Sequence, residues 1–358
     1  MSAIPPFDTS PQWRDGRFRN RLPRIDGPMS KILREFFFGG SKHRKPHAPI
    51  VPERRMAGDY ATPPSTGLRV TWLGHSTTLL EIDGIQLLID PVWCERVSPF
   101  SFAGPKRFFA PPLPLDQLPD VDAVVLSHDH YDHLDASFVR TMAARAQRWI
   151  TPLGVGRHLR QWGVASAKIE ELDWWDTTRI REVTLTATPA RHFSGRGLGT
   201  TDRTLWSGWA ITGPAHRVYY AGDTAMQREF EEIGQRLGPF DLTMIEVGAY
   251  DPLWPDVHIG PEQAVRAHAL VRGGAFLPLH WGTFDLALHP WTEPMERVLA
   301  AGEREGVRVL APRPGQMIEP TNAGPVERWW PEVPWRSANE APILSTGMED
   351  VPGSDDHA

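Results

Sequence analysis

One cysteine, Cys94, is all that 358 residues contain. No internal disulfide can form and a cysteine-based zinc finger is excluded, so any metal must bind through His, Asp or Glu. Long apolar runs are missing as well. No stretch approaches the roughly 20 residues needed to span a bilayer, and the opening "MSAIPPFDTSPQWRDGRFRN" has no apolar signal-peptide core. A soluble, cytoplasmic protein is expected. Nor is there an excess of positive charge: a net charge of −6 argues against nucleic acid as a partner.

The hydrophobic and charged contents, 41% and 23%, are ordinary for a globular chain, whereas 35 prolines and 15 tryptophans are many. Rigid turns and well-filled loops are expected rather than coiled coils or solenoids. Charge is unevenly spread, with 12 Lys and Arg against 5 Asp and Glu over residues 1–58 and 26 against 39 in the rest. Residues 1–66 read as a basic, Pro- and Arg-rich arm with one short amphipathic candidate helix, "SKILREFFFGG" (30–40). Its Ile32, Leu33, Phe36 and Phe37 would pack on the main domain. Alternatively, followed by "SKHRK", it would be a peripheral contact with the inner face of an anionic membrane.

From residue 67 to 318 the texture is that of one catalytic domain. Short β-like runs come first ("LRVTWLG", "TTLLEIDG", "IQLLIDP", "DAVVLSH", "RWITP"), and helical stretches at 135–147, 225–237, 260–273 and 292–305 are interleaved with later strands. Two sheets packed face to face with helices outside, an αββα sandwich of the α/β class, is the expected architecture. Residues 319–358 read as a Trp/Pro strap, "PVERWWPEVPW", and then a disordered acidic tail, "EDVPGSDDHA".

"SHDHYDHLD" (127–135) concentrates three histidines and three aspartates in nine positions. Further metal-capable residues follow apolar runs: His192 after "VTLTATPAR", Asp223 after "RVYYAG" and His280 after "GAFLPL". A strand that ends abruptly in His or Asp delivers that side chain to the rim of a sheet, placed yet able to reach a ligand. His128, His130, Asp132, His133, His192, Asp223 and His280 are too many donors for one tetrahedral ion and suit two. His128 and His130 would grip one ion and Asp132 and His133 a second, and the two oxygens of Asp223 suit a bridge. A water between two such ions is acidified toward neutral pH. Zinc is the default for imidazole-rich sites, with iron or manganese as substitutes. His158, His216, His268 and His289 are expected on solvated helix or loop faces.

The "HDHYDHLD" motif with the three later strand-end residues resembles the metallo-β-lactamase fold superfamily of hydrolases. Asp90 in "LLIDP" matches that superfamily's early aspartate, implying support for the site from behind the ligands. "VTWLGHSTTLLEIDG", "PARHFSGRGLGTTDRTLWSGW", "YYAGDTA" and "DVHIGPEQAVRAHALVRGGAFLPLHWGTFDLALHP" narrow the resemblance to the N-acylphosphatidylethanolamine-hydrolysing phospholipase D family, with the sugar-lactone hydrolases of ascorbate breakdown as more distant kin. The resemblance implies one zinc on His128, His130 and His192, another on Asp132, His133 and His280, and Asp223 bridging. It also implies a substrate role for His258, which stands in "WPDVHIGPEQ" just before a helix start. Asp132 and His258 are the candidate catalytic residues, and Tyr131 within the motif a candidate substrate contact with His258. The expected activity is hydrolysis of a phosphodiester in a glycerophospholipid. Two readings stay open beside it: a lactonase or other ester hydrolase, and a metal-binding protein without turnover. A nuclease acting on RNA is disfavoured by the acidic main domain.

Overall fold

The computed structural model describes residues 7–25, 27–197 and 199–348, so the acidic tail expected to be disordered lies outside the described residues. A two-stranded ribbon, β1 (Trp13–Arg14) and β2 (Arg17–Phe18), and helix α1 (Met29–Phe38) precede the first sheet. That sheet is made by β3 (Leu68–Gly74), β4 (Thr77–Ile82), β5 (Ile85–Ile89), β6 (Ala123–Val125), β7 (Trp149–Pro152) and β8 (Ile169–Leu172), with α2 (Ala136–Met142) after β6 and α3 (Gly156–Gln161) after β7. The second sheet begins with β9 (Thr177–Ile180), β10 (Val183–Thr188), β11 (Gly208–Thr212) and β12 (Arg217–Tyr220). It continues through α4 (Glu229–Leu237), β13 (Phe240–Glu246), α5 (Pro261–Leu270), β14 (Gly273–Leu279), α6 (Glu293–Glu305) and β15 (Arg308–Val309), before β16 (Met317–Ile318) returns to the first.

Each sheet has seven strands, in the orders β16-β3-β4-β5-β6-β7-β8 and β15-β14-β13-β12-β11-β10-β9. Both follow one plan, an antiparallel meander that passes into parallel strands, at β5–β6 in the first and β12–β13 in the second. The meanders follow from short turns: Asp83 and Gly84, with φ of 48° and 82°, form the two-residue hairpin loop between Ile82 and Ile85. The parallel strands follow from long crossovers, through α2 to α6 for the later pairs and through residues 90–122 between β5 and β6.

The αββα arrangement expected from the sequence is the one observed. Period-two alternation sends Trp72, Leu80, Leu87, Ile89, Val125 and Ile150 between the sheets, to meet Leu185, Trp209, Leu242 and Leu277. The alternate residues Leu73, Leu79, Leu88 and Val124 face outward under Phe138, Val139 and Met142 of α2 and Leu159 of α3. Because both faces are covered, these strands read as nearly unbroken apolar runs. Beyond α6, Trp330 packs edge-on to Trp281 at 5.2 Å, and Trp281 stacks on Trp72 at 5.5 Å.

Several elements differ from expectation. The 135–147 stretch is helical only over Ala136–Met142, and α3, β8 and β9 carried no clear periodicity. β8 and β9 lie at the outer edges of the two sheets with mixed exposure, where pairing to a neighbour rather than a residue pattern makes the strand. The histidines placed on solvated faces are also corrected. His268 and His158 are buried, and His216 and His289 are partly buried and hydrogen-bonded. His268 lies on the inner side of α5, with Nδ1 2.7 Å from Thr243 Oγ1 and its ring stacked on Phe276.

Burial pushes the His268 imidazole down from 6.5 to about 4. The unfolded chain therefore takes up this proton first, and the stability His268 confers, complete above pH 6.5, is lost as pH falls toward 4. Between pH 7 and pH 4.5 the wild-type protein should lose about 2–3 kcal/mol more unfolding free energy than His268→Gln, as measured by urea denaturation. Parallel pH profiles for the two proteins would refute this.

Candidate metal centre

Strand ends assemble the site at one rim of the sandwich. The chain leaves β6 at Val125, presents Ser127 and His128, and then turns tightly, with the amides of His133 and Leu134 donating to the His130 carbonyl at 3.2 and 2.8 Å. Asp135 closes the turn as the N-cap of α2, accepting from Ser137 N at 2.8 Å and Phe138 N at 3.3 Å. The three aspartates of the motif thus divide: Asp132 faces the other donors, Asp135 caps a helix, and Asp129 braces the loop. Asp223 leaves β12 through Gly222, whose φ is 63° and where a Cβ would stand 2.8 Å from the Ser207 carbonyl oxygen. His280 follows β14 directly and itself has φ of 65°.

Two groups of donor atoms share Asp223. In the first, His130 Nδ1 lies 2.9 Å from His128 Nε2 and 3.3 Å from His192 Nε2, and Asp223 Oδ2 is 3.8 and 3.7 Å from those two Nε2 atoms. In the second, Asp223 Oδ2 is 3.1 Å from both His133 Nε2 and His280 Nε2, which lie 3.7 and 3.4 Å from Asp132 Oδ2. All seven residues expected from the sequence are brought together. Within each of the groups {His128, His130, His192, Asp223} and {His75, Asp132, His133, His280} the donor atoms lie within 4.8 Å of one another. His133 Nε2, His280 Nε2 and Asp223 Oδ1 are buried without an aligned hydrogen-bond partner among the described residues. Buried lone pairs of N and O that converge without donors are what a transition-metal ion satisfies, so the residues fit such ions.

The electrostatics agree. Burial holds His128 and His192 well below the usual imidazole range, leaving neutral nitrogen donors. Burial acts the same way on His133 and His280, but the neighbouring carboxylates, Asp223 foremost, override it, pushing His133 well up and His280 to about 10. The carboxylates that attract these protons would attract a dication in their place.

Three of the rings are braced from behind. Asp90 Oδ2 is 2.7 Å from His133 Nδ1 and accepts the Ser127 hydroxyl, whose oxygen lies 2.9 Å from His128 Nδ1. The Val257 carbonyl takes His192 Nδ1 at 2.9 Å. With Nδ1 engaged, Nε2 of these rings is the free donor. The motif loop is held by Arg196, which donates to the carbonyls of Asp129 and Leu134 at 2.8 and 2.7 Å, and by Asp129, which accepts from Gly195 N and lies 3.1 Å from His158 Nε2. That contact is why His158 is buried.

Tyr131, the candidate substrate contact, uses its hydroxyl on the Arg196 carbonyl at 2.6 Å, and its ring lies 4.0 Å beneath the Arg196 guanidinium. Its ring borders a groove of about 540 Å³ shared with Phe100, Arg140, Trp162 and Arg196. His258 stands at the rim, with ring centroids 5.3 Å from His192 and 4.9 Å from His280.

Three participants were not singled out from the sequence. His75, between β3 and β4, holds Asp132 Oδ2 at 2.9 Å, and burial keeps its imidazole neutral, at about 3. Glu246, the last residue of β13, lies 2.6 Å from His258 Nδ1. A strand-end carboxylate is the same signal that marked Asp223, so "LTMIEVG" carried a readable cue. Asn20, from the basic arm, accepts from His192 N at 3.1 Å and donates to its carbonyl at 2.8 Å. Nothing local in "RFRNRLP" announces that.

Comparison with known proteins follows the geometry. A family model described as "Beta-lactamase superfamily domain" matches residues 86–281. An uncharacterized protein of Mycobacterium tuberculosis is 46% identical over 90% of this chain and 88% of its own. N-acyl-phosphatidylethanolamine-hydrolyzing phospholipase D 1 of Caenorhabditis elegans is 42% identical over 65% of this chain and 69% of its own. Among solved structures, Igni18, a metallo hydrolase from the hyperthermophilic archaeon Ignicoccus hospitalis, superposes with a TM-score of 0.53 at 23% identity, over 70% of this chain and 97% of its own. That likeness concerns the fold alone.

Since Asn20 fixes the backbone of His192 on both sides, Asn20→Ala should loosen one donor of the first group. Metal affinity, measured by chelator competition, is expected to fall roughly 10-fold, at the lower end for groups that orient ligands. Unchanged affinity would show that the Val257 carbonyl and the His192 loop itself position the ring without Asn20.

Proposed function

Because the chain belongs to the β-lactamase superfamily and is a metal-dependent hydrolase, we propose that it cleaves a phosphodiester in N-acylphosphatidylethanolamine or a related glycerophospholipid, by phospholipase D-type scission on the headgroup side of phosphorus. The observation that carries this reading is the pair of donor groups sharing Asp223 beside His258. Relatedness to the nematode phospholipase supplies the substrate class.

On this reading His128, His130 and His192 hold one zinc ion, Asp132, His133 and His280 a second, and Asp223 serves both. Such ions supply a nucleophilic water at neutral pH and positive charge for the phosphate oxygens. The protein's own groups do the rest. Burial of His128, His133, His192, Asp223 and His280 keeps bulk water from competing, and the contacts at Nδ1 of His128, His133 and His192 would leave Nε2 of those rings to meet the metals. His258, two residues before the Gly260 N-cap of α5, gives a proton to the leaving alcohol oxygen as the phosphorus–oxygen bond breaks. The positive end of α5 favours the phosphate there. The groove beside Tyr131 and Trp162 receives part of the lipid.

No helix among the described residues is long and apolar enough to cross a membrane. Contact with a lipid surface would use α1, where Phe36 stacks on Trp254 and Ile32 packs beside it, while Phe38 is 88% exposed. Part of the amphipathic face is therefore spent on packing and part faces solvent.

Elemental analysis of folded protein is expected to find close to two transition-metal ions per chain. His130→Ala should lower metal content and turnover together, and His216→Ala, whose ring pairs with Asp83 on the far side of the chain, should lower neither. One ion or none in folded wild-type protein would overturn the two-metal reading.

Purified protein should hydrolyse bis(p-nitrophenyl) phosphate and N-acylphosphatidylethanolamine in mixed vesicles, and lose both activities with a chelator. Turnover of a lactone but no phosphodiester would replace this reading with the ester-hydrolase one. His258→Ala should keep its metals and melting temperature while phosphodiester cleavage slows by roughly 10²-fold or more. An alkyl leaving group should suffer more than an aryl one. An unaltered rate on both would remove His258 from the mechanism.

A further inference from the structure

Glu246 is 1% exposed, and its two oxygens are differently employed. Oε1 accepts the backbone N–H of Thr224, the residue after Asp223, at 2.5 Å, and Oε2 lies 2.6 Å from His258 Nδ1. The same Oε2 is 3.8 Å from His280 Nδ1, a buried nitrogen with no hydrogen-bond partner among the described residues. His280 turns its other nitrogen, Nε2, toward Asp223 and Asp132 at 3.1 and 3.4 Å. Glu246 therefore stands behind the His280 ring, on the side away from the shared carboxylate. It occupies for His258 the place that Asp90 occupies for His133 and the Val257 carbonyl for His192, and it faces His280 Nδ1 without a hydrogen bond.

The same four residues, Asp223, Glu246, His258 and His280, bring ligand atoms within 4.8 Å of one another, so a direct metal ligand is the rival role for Glu246. The hydrogen bonds decide against it. Oε1 already accepts from Thr224 N, Oε2 is within hydrogen-bond distance of His258 Nδ1, and the ring nitrogens that Glu246 approaches are Nδ1 atoms, opposite to the Nε2 through which His280 meets the carboxylates.

We propose that Glu246 is a positioning residue that holds the proton donor His258 beside the metal-facing ring of His280. It accepts the Nδ1 proton of His258, so that in the imidazolium Nε2 carries the proton given to the leaving oxygen and the neutral ring left afterwards keeps its proton on Nδ1, and it tethers the His258 ring to the backbone beside Asp223. A carboxylate can accept from Thr224 N and His258 Nδ1 through separate oxygens. An amide has one accepting oxygen and must offer an N–H to the other partner, so Glu246→Gln keeps shape and volume while removing the fixed proton position. The proposal rests on the assignment of His258 as proton donor, and its test is arranged to separate the two.

The tautomer comes first, in wild-type zinc-loaded protein with ¹⁵N-labelled histidine, recorded with the His258 ring neutral. The neutral ring should carry its proton on Nδ1, and a proton on Nε2 would overturn the proposal without any variant. Glu246→Gln should keep the wild-type metal content, whereas a loss of one ion per chain would assign Glu246 as a ligand and overturn it. In turnover, Glu246→Gln should lower kcat roughly 10- to 100-fold for a diester with an alkyl leaving group, with KM little changed and less effect on an aryl diester. Glu246→Gln combined with His258→Ala should be no slower than His258→Ala alone, because the carboxylate acts through that ring. Fully multiplicative losses would overturn the coupling. Should His258→Ala show no leaving-group dependence, the donor assignment fails, while the tautomer and metal content still decide whether Glu246 positions the ring.

Discussion

Asp90 is fully buried, and a carboxylate taken out of water persists only where donors replace its hydration. Four donors do so. Ser127 supplies its amide at 2.7 Å and its hydroxyl, His133 its Nδ1 at 2.7 Å, and Tyr220 its phenol at 2.5 Å. Asp90 and Ser127 follow strands of the first sheet, and Tyr220 ends β12 in the second, so one side chain joins the two layers at the rim where the donors gather. The chain reaches this arrangement through a left-handed backbone at Asp90, with φ of 39°. Removing the carboxylate would free the rings of His133 and His128 together, the second through the Ser127 hydroxyl. The geometry of both donor groups therefore depends on this buried anion being fully satisfied.

A second buried charge organises the chain ends around the site. Arg191, adjacent to His192, pairs with Asp256 at 3.0 Å, and both are almost wholly buried. Arg191 also donates to the carbonyls of Pro23 at 2.5 Å and Thr346 at 2.9 Å, while Asp256 accepts from Ile25 N at 2.8 Å and Thr346 N at 2.7 Å. A segment near each end of the described chain thus closes on the His192 loop and on the loop that carries His258. A buried ion pair contributes little net stability once desolvation is counted, but breaking one partner is costly because the other charge remains buried. The pair's main effect here is to specify where these segments lie. Asn20 and Pro23 belong to the metal centre's walls, although they fall within what the sequence presents as a basic arm.

What the sequence disclosed and what it hid follow from one distinction. The αββα plan was readable because strands covered on both faces produce apolar runs, and the donors were readable because His or Asp ends such runs at 128, 192, 223 and 280. Of the rear partners, Asp90 behind His133 was legible through the superfamily resemblance and Ser127 adjoins His128, whereas those supplied by other elements are a tertiary property. Val257 and Glu246 meet His192 and His258 across the fold, and Val257 serves His192 through a carbonyl that every residue possesses. For the same reason His158 and His268, polar in sequence, are interior in fact: Asp129 and Thr243 meet them there. β8 and β9 were hidden differently, since an edge strand with polar residues is made by its neighbour.

Backbone strain and buried charge point to a common logic at the rim. His75, Asp90 and His280 all adopt positive φ, a conformation that costs non-glycine residues energy and persists only where the surroundings overdetermine it. The surroundings do so here. His75 N accepts no freedom because it donates to Thr283 Oγ1 at 2.6 Å, its carbonyl takes the Trp72 indole at 2.8 Å and the His280 amide at 3.2 Å, and its ring lies 3.9 Å from the His280 ring. Those two strained residues are thereby locked to each other across the two sheets, and Asp132 is held from the His75 side at 2.9 Å. Strand ends left to their own preferences would splay outward into solvent. Turning three of them back over the rim brings imidazoles and carboxylates within a few ångströms, at a cost offset by packing elsewhere in the sandwich. The placement of His280, and through His75 and Asp90 the support of Asp132 and His133, thus depends on backbone held out of its resting conformation, and side-chain identity alone would not have produced it.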